Sequence, residues 1–213
     1  AGLTSQGASA VAVGRLAGQT SQGNNAVAVG YLAGQTSQSS QGIAIGGSAG
    51  QSSQGSAAIC MGVSSGRFNQ GALAVAIGRS CAYSNQGSSA TAVGVIAGQY
   101  NQGDSAVAVG AYAGLTSQGT EAVAVGYLAG RYNQGSYATA VGVAAGETSQ
   151  ANSATAVGQE AGRYNQGGVA IAVGYLAGRN NQSGIAMGAY AGSNNQGGST
   201  VAVGNEAGRY NQG

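Results

Sequence analysis

Apolar and polar positions follow one short pattern that returns every sixteen residues along the chain. Asn25-Ala26-Val27-Ala28-Val29-Gly30 leads into Tyr31-Leu32-Ala33-Gly34 and then into the polar run Gln35-Thr36-Ser37-Gln38. The apolar pentad precedes this stretch as Ala10-Val11-Ala12-Val13-Gly14 and follows it as Gly42-Ile43-Ala44-Ile45-Gly46. Its closing glycine recurs at Gly62, Gly78, Gly94, Gly110, Gly126, Gly142, Gly158, Gly174, Gly188 and Gly204, at a spacing of sixteen except for the fourteen between Gly174 and Gly188. A fixed period of this size is the mark of a solenoid, in which each repeat is one coil stacked on the last. Residues 1–213 therefore read as a single repeat domain of about thirteen coils.

Counting each coil from Ala10 as position 1, positions 1 to 4 alternate small Ala with Val, Ile, Thr or Met, which predicts a short strand with bulk on one face and small side chains on the other. Both faces are apolar, so both are expected to be buried. A helix is excluded by glycine at position 5 in every coil and at positions 9 and 14 in most, which would place destabilising residues in each turn. Those glycines mark corners instead. Ala82 at position 9, and Ser39, Ala151 and Ser183 at position 14, show that only the corner at position 5 is strict.

Positions 10 to 13 are polar, and position 13 is glutamine in every coil: Gln22, Gln38, Gln54, Gln70, Gln86, Gln102, Gln118, Gln134, Gln150, Gln166, Gln182, Gln196 and Gln212. Stacked at the usual strand spacing of about 4.8 Å, this column predicts an amide ladder in which each side chain bonds those above and below. At that spacing thirteen coils make a rod of roughly 60 Å. Alanine and glycine fill the narrow coil with little apolar area each, so the second apolar face is expected to pack on sister chains.

The 42 glycines lie in register with the apolar positions, which favours order over a flexible low-complexity chain. Charge is sparse, with seven arginines, no lysine and five carboxylates for a net +2, so neither a nucleic-acid footprint nor a membrane anchor is expected. With no histidine and no metal-ligand spacing, Cys60 and Cys81 read as small buried thiols, with a disulfide between neighbouring coils or chains as the alternative. The carboxylates form no paired motif. Glu160 and Glu206 share position 7 but sit three coils, roughly 14 Å, apart. Neither catalysis nor a cofactor or metal is expected. Asn181-Gln182-Ser183, a glycosylation sequon in the shortened coil, is assigned no role.

Asn25-Ala26-Val27-Ala28-Val29-Gly30 resembles the Asn-Ser-Val-Ala-Ile-Gly motif of the YadA-like head repeat of trimeric autotransporter adhesins. The likeness runs through the whole chain in pentads such as Ala74-Val75-Ala76-Ile77-Gly78, Ala106-Val107-Ala108-Val109-Gly110 and Ala170-Ile171-Ala172-Val173-Gly174, although the family's period is nearer fourteen. Similar repeats occur in phage and giant-virus fibre proteins. The resemblance implies an all-β fold, a left-handed parallel β-roll with two short strands per coil, assembled as a homotrimer. It also implies an extracellular location, on a cell or virion surface, and a role in attachment. Both ends of the chain fall mid-coil without atypical capping repeats, so a segment of a longer fibrous protein is expected.

Candidate binding residues are the Arg-aromatic neighbours at positions 10 and 11: Arg67 with Phe68, Arg131 with Tyr132, Arg163 with Tyr164, and Arg209 with Tyr210. On a strand such neighbours point to opposite sides, so at most one of each pair faces outward unless the site is a turn. Exposed Tyr and Arg suit a host-surface glycan or matrix protein; the plainer reading is a solvated rib. A structural filament without ligand is the alternative function. Ice binding ranks below both, because position 2 carries threonine only at Thr91, Thr139 and Thr155.

Overall fold

The computed structural model describes residues 2–212, with the side chain of Gln212 outside the described residues. The protein is all-β, a parallel β-solenoid with a sixteen-residue coil, divided into two units, Ala1–Ser105 and Ala106–Gly213. In each unit every coil gives two three-residue strands, one from positions 2 to 4, such as Val27–Val29, and one from positions 11 to 13, such as Thr36–Gln38. Like strands pair in parallel and in register: Val27, Ala28 and Val29 lie beside Ile43, Ala44 and Ile45 in the first unit. In the second, Val123, Ala124 and Val125 lie beside Thr139, Ala140 and Val141.

The corners are bonded to neighbouring coils as fully as the strands. In the second unit Gly126 N donates to Val109 O (2.8 Å), Leu128 N to Ala111 O (3.1 Å) and Gly130 N to Ala145 O (2.9 Å). Because turn residues also carry axial hydrogen bonds, inserting or deleting a residue at most positions would leave buried groups unpaired. The fixed period follows. The shortened coil loses its two residues from the exposed turn at positions 15 and 16, between the strands Asn180–Gln182 and Ile185–Met187. The interior beside it is unchanged, with Ala186 buried and paired with Ala172.

Glycine at position 5 is invariant for a steric reason. Gly126 has φ of 131°, and a Cβ there would lie 2.4 Å from Gly142 O in the next coil. Other positions use the left-handed region without glycine. Position 12 is Ser or Asn throughout, as in Ser37 (φ 55°) and Asn133 (φ 52°), and short polar side chains tolerate this conformation best. Ile96 (φ 62°) and Val169 (φ 55°) adopt it despite their branched side chains.

The two faces of the pentad strand have different fates. Alanines at positions 1, 3 and 8 turn inward and are buried, forming clusters such as Ala17, Ala28, Ala33, Ala44 and Ala49 with Cys60. The bulky residues at positions 2 and 4 turn outward and remain partly exposed, Ile45 at 37%, Met61 at 41% and Ile77 at 39%. The inward alanines and the glutamines at position 13 fill the interior of the coil, so burial of the second face does not occur within one chain.

Candidate interaction surfaces

The glutamine column is interior, and its chemistry differs from a simple ladder. Gln22 through Gln196 are buried, and each described coil uses the amide to tie its two strands together. Gln134 Nε2 donates to Val123 O of its own coil (2.8 Å) and to Ala138 O of the next (3.2 Å). Gln22, Gln38, Gln54, Gln118, Gln150 and Gln166 make the same pair of contacts. Among the described residues amide-to-amide bonds are added in runs, from Gln70 to Gln86 to Gln102 and from Gln134 to Gln150 to Gln166 to Gln182. The Oε1 atoms of Gln22, Gln38, Gln54, Gln118, Gln134 and Gln196 have no hydrogen-bond donor among the described residues. The expected ladder is therefore present in part: neighbouring amides bond in these runs, while backbone carbonyls of the same and the next coil are the acceptors that recur along the column.

A true amide ladder lies one position earlier, on the surface. Asn69 donates to Asn85 (3.1 Å) and Asn85 to Asn101 (3.0 Å), and Asn165, Asn181, Asn195 and Asn211 continue the pattern in the second unit. At position 10 of the first unit Gln51 donates to Gln35 and Gln35 to Gln19, both at 2.9 Å. Arg67 Nε caps that run on Gln51 Oε1 (2.7 Å), while its Nη1 reaches the Tyr83 hydroxyl (2.8 Å).

The Arg-aromatic neighbours do not point to opposite sides. Position 10 precedes the strand, so strand alternation does not govern it, and each guanidinium folds over the adjacent ring. The distances to the ring centroid are 4.9 Å for Arg67 on Phe68, 4.6 Å for Arg131 on Tyr132, 4.8 Å for Arg163 on Tyr164 and 5.3 Å for Arg209 on Tyr210. Arg67 belongs to the first unit, and the other three pairs lie along one rib of the second. Sequence reasoning missed the carboxylates that organise this rib. Glu147, buried at position 10, bridges Arg131 (Nη1 to Oε1, 3.6 Å) and Arg163 (Nε to Oε2, 2.6 Å). Glu160 Oε2 serves both Arg163 Nη1 (3.0 Å) and Arg179 Nε (2.9 Å), and Glu206 lies 3.4 Å from Arg209. Partial burial opposes the charge on Arg163, but the bonds and charges of Glu147 and Glu160 outweigh it and raise its pKa. For Glu147 the signal was present as opposite charges sixteen residues apart, and for Glu160 and Glu206 as an acid three residues before an arginine.

Cys60 and Cys81 are both buried and free. The Cys60 thiol donates to Gln70 Oε1, and Cys81 Sγ lies 3.2 Å from Ser65 Oγ. Burial pushes both thiols above their ordinary value, and for Cys60 the neighbouring Cys81 adds to the rise. Such thiols are poor nucleophiles.

No protein-family model, curated protein or solved structure matches this chain.

Proposed function

We propose that the protein is a structural component of an extracellular fibre, on a cell or virion surface, that serves attachment as a left-handed β-roll homotrimer without catalytic activity. The observation that carries this reading is the outward column of Val, Ile and Met at positions 2 and 4, which runs in register along each unit and stays partly exposed in one chain. Three copies with these faces turned to a common axis remove it from water, and a face this apolar, interrupted at position 2 by Thr91, Thr139 and Thr155, marks an interface. The trimer multiplies every surface feature, so weak contacts to a host glycan or matrix protein add up through multivalency.

Binding to a glycan array tests attachment. The expected result is binding that is lost when Arg131, Tyr132, Arg163 and Tyr164 are replaced together by Gln, Ala, Gln and Ala. A second reading, a filament component without ligand, is favoured by the Arg-Tyr stacks and ion pairs, which occupy these side chains internally. Inertness on the array together with self-association into long fibres decides for it.

A further inference from the structure

Position 10 of the second unit contains its own template for an anion site. Glu147 places a carboxylate between arginines one coil to either side, Arg131 and Arg163. Three coils further on the arrangement repeats with the acid missing: Arg179 and Arg209 flank Ser193 at the same position. Ser193 is too short to reach either guanidinium, and its hydroxyl is directed to backbone, 2.7 Å from Tyr190 O and 3.0 Å from Leu176 O. A notch of about 80 Å³ opens above it, lined by Arg179, Arg209, Tyr190, Asn180 and Asn194.

We propose that this notch binds the carboxylate of an acidic sugar. Two arginines one coil either side of Ser193 are roughly 9.6 Å apart along the axis, the spacing that Glu147 already bridges. Each keeps further N–H donors for a ligand, because Arg179 meets Glu160 through Nε and Arg209 meets Glu206 through Nη1. Arginine suits this role through its paired, charge-assisted donors. The Tyr190 ring, over which Arg209 is stacked 4.7 Å from the centroid, holds that guanidinium at the opening, and the Asn180 and Asn194 amides, joined by one bond of 2.7 Å, border it with further polar atoms for the hydroxyls of a sugar.

The site rests on the attachment reading and gives it a ligand class. It shares Glu160 with Arg163, but the titration below leaves Arg131, Tyr132, Arg163 and Tyr164 untouched, so its failure and that of the array experiment are told apart. The test is titration of the full chain with sodium glucuronate, glucose and acetate, followed by NMR chemical shifts or calorimetry. Glucuronate is expected to bind saturably, more tightly than acetate, with glucose not binding. Ser193→Glu supplies the missing carboxylate from within, as Glu147 does, and is expected to fold normally while weakening glucuronate at least ~10-fold, the loss of one charge-assisted contact. Arg209→Gln is expected to weaken it similarly. Absence of glucuronate binding in the wild type, equal affinity for glucose or acetate, or undiminished binding by a folded Ser193→Glu chain would each overturn the proposal.

Discussion

Replacing Gln150 by leucine isolates the amide that ties one coil together while nearly conserving volume. Gln150 is 1% exposed. Its Nε2 contacts Thr139 O (2.8 Å), Ala154 O (3.0 Å) and Gln166 Oε1 (3.1 Å), and its Oε1 accepts from Gln134 Nε2 (3.2 Å). Two amide hydrogens shared among three acceptors, plus one accepted bond, amount to three hydrogen bonds. At about 1 kcal/mol each the expected loss is about 3 kcal/mol. In a solenoid a coil interacts with its nearest neighbours, so the damage is local. Hydrogen exchange at fixed protein concentration should show protection lost in the coils around Thr139 and Ala154 and retained in the first unit, with a lower urea midpoint. Asn133→Ser, an exposed change to the other residue found at position 12, is the control and should stay within about 0.5 kcal/mol of the wild type. If Gln150→Leu matches that control, the glutamine column is space-filling and the tie between strands is wrong.

Other substitutions probe the remaining parts of the coil. Gly126→Ala places a Cβ 2.4 Å from Gly142 O at a φ of 131°, and is expected to cost more than about 3 kcal/mol or prevent folding, measured by urea unfolding. Val169→Asn relieves a branched residue at φ 55° that is 74% exposed, and should stabilise the chain by about 1 kcal/mol in the same assay. Glu147→Gln leaves Arg131 and Arg163 without their shared carboxylate; a loss of about 1–2 kcal/mol, smaller at high salt, is expected for a pair that is only partly buried. The buried thiols set an alkaline limit, because the folded chain keeps protons on Cys60 and Cys81 that the unfolded chain releases above their ordinary value of 9.0. Their contribution is complete below that pH and is lost as pH rises above it, by up to about 1.4 kcal/mol per pH unit for each thiol. Cys60→Ala with Cys81→Ala should flatten this slope in denaturation curves at pH 8 to 11.

Much of the architecture was legible because the backbone repeats its hydrogen bonds at the corners as well as the strands, which forces the sequence to keep one period. The pentad announced a strand with two unlike faces, and the invariance of Gly126 and its equivalents marked the tightest corner. Which face turned inward was less legible, since Val125 and Ala124 are both apolar and only the width of the finished coil separates them. The direction of the Gln134 amide depended on where the Val123 and Ala138 carbonyls came to lie, a relation across the coil that a column of identical residues does not reveal. The Arg131–Glu147–Arg163 bridge was written at a spacing of sixteen, but its meaning appeared only once position 10 of one coil lay beside position 10 of the next. Ser193 became informative for the same reason, as the place where that bridge has no acid.

The outward Val and Ile columns make self-association the central claim, and molar mass by light scattering across a dilution series tests it most directly. A mass three times that of the 20.3 kDa chain, unchanged on dilution, is the predicted result. A monodisperse species at the mass of one chain would contradict it, leaving the apolar face in water and removing the basis for the trimeric fibre.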